Sequence, residues 1–426
     1  MGFGERVKEI REGFEPAFWV ANGTELFERL AYYGAFASLA VYLNQTLAFP
    51  IEQTTWLAGI FGGLVWFLAI VGGAVADRLG FRRALSVAYL ILTCAYFLLG
   101  SIGSAWMGPV RSVVPLFWIV LVILMLPALG IAIVKPVVVG TTAPTAKENV
   151  RSIGYSIYYT LVNVGGAAGP YVASLAHARL GVTSVFWISA LCVLVMFFAV
   201  LLFFKEPRAH EVASTTSLTQ TAKNLLTVLA NPRFMLFLII FSGYWVVYWQ
   251  VYIGMPLYVT AHINAHADVE RIIMTDGLSV VFLQIIISHL TRRMRPFRAI
   301  NVGTLITSLA WLVLAFHPTV FGAVAAVFVV ALGEMTLSPR YYEYVSRLAP
   351  PGQQGTYMGF AFAPIGIGSI VGGWLMGRLL HHFGEILHRP QEAWWAMAGI
   401  GVATTVCLWV YDRTLKPGRN PAPPSS

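Results

Sequence analysis

Glu25-Leu-Phe-Glu28-Arg29-Leu-Ala-Tyr-Tyr33-Gly-Ala-Phe-Ala37 places two carboxylates and a guanidinium in the middle of an apolar run. That run, residues 17–43, reads as a membrane-spanning helix. Glu25 falls eight residues inside it, about 12 Å deep at the helical rise. One charge at such depth costs ~2.5–3.5 kcal/mol on insertion scales, so three together require a protein-lined, polar setting. Glu25 and Glu28 are three apart and Glu25 and Arg29 four apart, so the three share one helix face. A static salt bridge between helices is the plain reading. A proton- or substrate-handling site explains better why charges stand there at all.

The rest of the chain is of the same kind. Its 426 residues are 58% hydrophobic and only 11% charged, with mean hydropathy +0.71. Soluble domains of this length do not have that composition, and a polytopic membrane protein does. Apolar runs fall at about 17–43, 53–76, 83–101, 113–141, 152–177, 183–204, 233–260, 271–290, 298–316, 319–347, 355–380 and 393–411, giving twelve candidate spans. Loops sharing a side with the termini are rich in cations, among them Arg82, Arg83, Arg292 and Arg293. The opposite loops hold only Arg111, Arg179, Arg271 and Arg389. This bias predicts both termini in the cytoplasm of a multi-pass protein of the cell (inner) membrane. The net charge of +9 sits in these short loops, so nucleic acid is not an expected partner. Cys94, Cys192 and Cys407 lie in apolar runs with no metal spacing, and no cofactor or metal is expected. There is no cleavable signal pattern in Met1–Glu15.

The polar stretch 205–232 divides the spans six and six. The expected organisation is a cytoplasmic N-terminus (1–16), a six-helix bundle (17–204), a cytoplasmic linker (205–232), a second six-helix bundle (233–413) and a disordered tail (414–426). A weak repeat agrees: Ala76-Asp77-Arg78-Leu-Gly80-Phe-Arg82-Arg83 follows the second span and Leu290-Thr-Arg-Arg-Met-Arg-Pro-Phe-Arg298 follows the eighth.

Gly72-Gly73-Ala-Val-Ala-Asp77-Arg78-Leu-Gly80-Phe-Arg82-Arg83 resembles the loop signature of the major facilitator superfamily. The resemblance implies a gate motif of Gly73, Asp77, Arg78, Gly80 and Arg82. Small residues there permit close helix approach, and cations hold the cytoplasmic side. Within that superfamily, Glu25-x-x-Glu28-Arg29-x-x-Tyr32-Tyr33-Gly34 resembles the first-helix signature of the proton-dependent oligopeptide transporters. Lys135-Pro136, Tyr159-x₃-Asn163-x-Gly165 and Gly333-Glu334-Met-Thr-Leu-Ser-Pro339 are similar to further segments of that family. The chain is identified as a divergent member: an all-α membrane protein of twelve helices in two six-helix bundles.

That resemblance implies roles. Glu25, Glu28, Arg29 and Lys135 would couple transport to protons, with Arg29 and Lys135 also meeting a substrate carboxylate. Tyr33, Trp66, Tyr159, Asn163 and Gln250 would line or contact the substrate, and Glu334 would meet a positive substrate end. The expected activity is proton-coupled symport of short peptides or peptide-like solutes by a monomer, using alternating access. The alternative is a facilitator or antiporter for another small polar metabolite or drug. Departures accompany the match. Phe36 stands where the family has an arginine, Trp249-Gln250 where it has Glu-Gln, Val137 where it has Asn and Ala361 where it has Trp. Phe36 is expected to offer the substrate an apolar wall. An intramembrane enzyme is disfavoured because neither His-Glu-x-x-His nor Gly-x-Ser-x-Gly occurs, and the histidines fall near outer loops or helix ends. A sensor or scaffold would normally add a soluble domain.

Overall fold

The computed structural model describes residues 12–207, 226–350 and 354–415, without the side chains of 70–78, 152 and 354–356. The expectations for residues 1–11, for most of the linker and for the tail beyond 415 lie outside the described residues. So do those for the side chains of Gly73, Asp77 and Arg78.

Twelve long helices follow one another among the described residues. They are α1 (Pro16–Val41), α2 (Ile51–Leu79), α3 (Phe81–Ser101), α4 (Leu116–Thr145), α5 (Arg151–Leu180), α6 (Thr183–Phe203), α7 (Pro232–His262), α8 (Val269–Thr291), α9 (Pro296–Phe316), α10 (Val320–Leu348), α11 (Gln354–Ile386) and α12 (Glu392–Leu415). α7 tightens into a 3₁₀ turn at Trp249–Val251, and α11 is interrupted near Ala361. Nine of the helices are both long and apolar enough to cross a membrane among the described residues. The other three, α1, α2 and α5, have 26, 29 and 30 residues, where roughly 20 suffice. α1 falls short in apolarity because it carries the Glu25 group.

The chain divides into two compact units. The first comprises Met1–Thr215 with His266–Val281, and the second Thr216–Ala265 with Phe282–Ser426. The division therefore passes through α8. Its first half packs in the first unit, although it belongs to the second half of the sequence.

Within the first unit, α1 packs on α5 and α6, α3 on α4 and α6, and α2 on α4. Within the second, α7 packs on α11, and α9 on α10 and α12. Pairs 1·5, 3·4 and 3·6 reappear as 7·11, 9·10 and 9·12. The packing pattern of these helices in the first unit thus recurs in the second.

Two local devices position the first unit. One is a strap at the start of α1. Glu15 N–H donates to Thr145 O at 2.9 Å and Lys147 N–H to Gly13 O at 2.9 Å, while Phe14 stacks on Phe18 at 4.1 Å. Pro16 then opens α1, where its missing N–H loses no helical bond. The other is the close approach of α1 and α5. A Cβ on Gly169 would stand 2.5 Å from Leu30 O, and one on Gly165 would stand 2.7 Å from Arg29 Cβ. Gly165-x₃-Gly169 on α5 is therefore the surface on which α1 lies.

Candidate functional site

The strap fixes the depth of the charges. It joins the start of α1 to the end of α4, and the two helices run in opposite directions. Ten residues along α1 from Glu15 lead to Glu25. Ten residues back along α4 from Thr145 lead to Lys135. Both side chains therefore stand about 15 Å from the strap. Lys135 lies in electrostatic range of Glu25 and Glu28.

Glu25, Glu28 and Arg29 are 1%, 0% and 4% exposed. Arg29 Nε donates to Glu28 Oε2 at 2.6 Å, and Arg29 Nη2 stands 2.5 Å from the same oxygen. Glu25 Oε1 is 3.4 Å from Arg29 Nε, an ion pair without a hydrogen bond. Neither oxygen of Glu25 accepts a hydrogen bond, nor does Glu28 Oε1. The guanidinium thus belongs to Glu28. Buried carboxylate oxygens without donors are costly, and both oxygens of Glu25 are in that position.

Aromatic faces hold the two cations. Lys135 Nζ lies 3.8 Å from the centroid of the Trp66 ring, and Arg29 Cζ lies 5.0 Å over Tyr32. A ring offers a cation attraction without a fixed counter-charge, worth about 0.5–2 kcal/mol. Pro136 follows it inside α4 and takes one backbone N–H out of the helical ladder.

The structure brings Glu25, Glu28, Arg29, Lys135 and Trp66 together. Tyr33 joins them, packed edge-on against Tyr32 at 5.1 Å and lying beside Gly166. Asn163 and Tyr159 share a face of α5, and the Asn163 amide donates to Tyr159 O at 2.8 Å. The Tyr159 ring is 50% exposed. Glu334 and Gln250 belong to the second unit. Glu334 is half-buried on α10, next to Gly333, whose lack of a side chain admits Thr307 of α9. Gln250 is fully buried and donates its amide to Val246 O at 2.7 Å and Gly372 O at 3.3 Å, which fastens α7 to α11 in this conformation.

Phe36 departs from its expected place on a wall. It is 1% exposed and packs edge-on against Phe61 at 5.2 Å and beside Tyr32 at 5.8 Å. The substitution that removes the family's arginine fills an aromatic core between α1 and α2.

In the gate motif, Gly80 turns the chain from α2 to α3 at φ +77°, a conformation that favours glycine. Phe81 N–H and Arg82 N–H donate to the two oxygens of Glu206 at 2.7 and 2.9 Å, and Arg82 Nη2 donates to Leu201 O at 2.5 Å. Sequence reasoning missed Glu206. It sits just past α6, where a carboxylate looks like an ordinary linker charge. It caps α3 by meeting the free N–H groups of its first turn. Near the end of α10, Arg340 pairs with Glu343 at 2.7 Å, and Arg347 pairs with the same carboxylate at 2.5 Å.

Comparison with known proteins places these features in a family. The model of the Major Facilitator Superfamily matches residues 24–339 and 266–425. A multidrug resistance protein, MdtH, of Photorhabdus laumondii is 24% identical over 394 residues, covering 88% of this chain and 93% of its own. Among solved structures, a POT family transporter in complex with 5-aminolevulinic acid superposes with TM-score 0.77 at 15% identity, over 93% of this chain and 96% of the other. The nucleoside transporter NupG, as its D323A mutant, superposes with TM-score 0.77 at 14% identity, over 93% and 99%. These structures share the fold. The family model, matching most of the sequence, establishes more: the chain belongs to the Major Facilitator Superfamily and is a multi-pass membrane transporter, not an enzyme.

Proposed function

We propose that the protein is a proton-coupled symporter of short peptides or peptide-like zwitterions, with both termini in the cytoplasm of the inner membrane. The observation that carries this reading is the Glu25–Glu28–Arg29–Lys135 group, buried at one depth on two helices tied by the strap. Glu28 neutralises Arg29, while Glu25 has no donor on either oxygen. Protonation of Glu25 weakens its hold on Lys135 and leaves the ammonium, on its Trp66 face, available to a substrate carboxylate. Proton and anionic substrate then load together, which is the requirement for symport. Glu334 on α10 supplies the acid for a substrate amine, and Tyr33, Tyr159 and Asn163 supply hydrogen bonds.

Reconstitution into vesicles with a pH gradient tests this. Di- or tripeptides should stimulate proton uptake, and Glu334→Gln should weaken binding of free-amine peptides far more than of N-blocked ones. A second reading has its own support. The relative MdtH is named for multidrug resistance, and Phe36 sits where an arginine would bind a carboxylate. Proton release driven by lipophilic drugs, with no response to peptides, would replace symport by drug–proton exchange.

A further inference from the structure

Glu270 is a second fully buried acid, outside the group described above. It stands in the first turn of α8 and is 1% exposed. Its Oε1 accepts a hydrogen bond from Ser38 Oγ of α1 at 2.8 Å and lies 2.8 Å from His177 Nδ1 of α5. The tautomer of His177 that carries a hydrogen on Nδ1 would give that carboxylate oxygen two donors. The His177 side chain remains 33% exposed. The ring is therefore open to proton exchange with solvent.

The surroundings reinforce this three-helix junction. Asp268 caps α8 through Arg271 N–H at 3.1 Å, and its carboxylate pairs with Arg271 Nε at 2.9 Å. Ser174 of α5 donates to Asp268 Oδ2 at 2.6 Å and accepts from Arg271 Nε at 3.1 Å. Lower down, a Cβ on Gly277 of α8 would lie 2.9 Å from the backbone of Ala167 on α5. The charged groups near the imidazole are therefore Glu270, Asp268 and Arg271 of α8. On α5, Arg179 is exposed to solvent. On α1 the nearest charges in sequence, Arg29 and Glu28, are nine and ten residues back, about 14 Å along the helix.

We propose that His177, Glu270 and Ser38 form a second proton-binding site, one that clasps the first half of α8 to α1 and α5 when the imidazole is protonated. A proton taken up at Nε2 leaves Nδ1–H in place and turns a hydrogen bond from a neutral ring into an ion pair between imidazolium and the Glu270 carboxylate. The positive ring adds a Coulomb attraction to the carboxylate that the neutral ring lacks. The clasped arrangement thus binds that proton more tightly than an unclasped one, and by linkage the proton favours the clasp. Acidification through the imidazole range closes it. In the orientation taken for the proton-coupled reading above, on which this proposal rests, the site faces the outside.

The test uses the full-length protein in lipid nanodiscs, with Cys94, Cys192 and Cys407 changed to serine. Spin labels go on Leu180→Cys and Ala265→Cys, both exposed positions at the ends of α5 and of the loop before α8. Distances are measured by double electron–electron resonance from about pH 8 to about pH 6, the range of an ordinary imidazole. The population with the shorter distance should grow on acidification, with its ratio to the longer one rising by at most about tenfold per pH unit for one linked proton. His177→Gln, which keeps a donor but cannot titrate, should fold and show no pH response. Ser38→Ala should lower the clasped fraction at every pH and keep the slope. A wild-type distance indifferent to pH, or an unchanged slope in His177→Gln, overturns the proposal. A pH-responsive clasp in a protein that moves no protons in vesicles would instead sink the symport reading and leave this site standing.

Discussion

Glu25 and Glu270 are equally buried, and the protein holds them in different ways. Glu25 has an ion pair at 3.4 Å and no hydrogen bond on either oxygen. Glu270 Oε1 accepts from Ser38 Oγ and lies 2.8 Å from His177 Nδ1. The neighbours of Glu25 are two cations, Arg29, which directs its hydrogen bond to Glu28, and Lys135, whose Nζ lies over the Trp66 ring. Those of Glu270 are a hydroxyl and an imidazole at fixed distances. A carboxylate of the first kind can change partners at small cost. One of the second kind loses its bonds together when its helix moves. Burial alone, therefore, does not distinguish the two carboxylates; the donors around their oxygens do.

The largest expected effect breaks the first site alone. Glu25→Gln should abolish uphill accumulation while leaving counterflow, which needs no net proton step. The pH response of the Leu180–Ala265 distance should be unaffected. Transport assays in vesicles read the first quantity and spin-label distances the second. Wild-type accumulation in this variant would reduce the Glu25 group to a structural pair.

Phe36→Arg tests the aromatic core beside that group. A charge placed against Phe61 within the span should destabilise the protein by ~2.5–3.5 kcal/mol, seen as a lowered thermal transition in detergent. Improved dipeptide binding with unchanged stability would show that the position faces the substrate after all.

Gly169→Val pushes a side chain into Leu30 O and should separate α1 from α5 at a cost of about 1–3 kcal/mol. It should disturb both sites, since α1 carries Glu25 and Ser38. Thermal unfolding together with the clasp distance would report this, and a loss confined to one site would mean that the two helices do not move as a pair.

Trp66→Leu is the mildest. Removing the ring beneath Lys135 is expected to weaken its positioning by about 0.5–2 kcal/mol. The pH profile of uptake should shift with no change in the clasp. An unchanged profile would make Trp66 a packing residue.

The fold was legible because each span is long and apolar, and because membrane loops concentrate their cations on one side. The α1 site was legible too, since Glu25, Glu28 and Arg29 are local in sequence and their presence in an apolar run is anomalous by itself. Lys135 stood out for the same reason. The clasp was not legible. Glu270 and His177 are 93 residues apart, each lies near a helix end where polar residues are ordinary, and no pattern within either helix points to the other. Glu206 was hidden likewise, because a cap is a relation between a side chain and the N–H groups of a distant turn. The division of α8 between the two units is also silent in hydropathy, which reads one uniform span.

The strap at Gly13–Glu15 makes α1 a measuring rod. Because Glu15 is pinned to Thr145, the count of residues between Glu15 and Glu25 sets both the height and the azimuth of the acid. Deleting one residue there would turn everything beyond it by roughly 100° and lower it by about 1.5 Å. Composition, charge and hydrophobicity would hardly change, yet Glu25 would leave Lys135 and Ser38 would leave Glu270. Phase is therefore a coded quantity in this helix, and an insertion compensated by a deletion beyond Ser38 would leave both sites out of step within a helix of unaltered length.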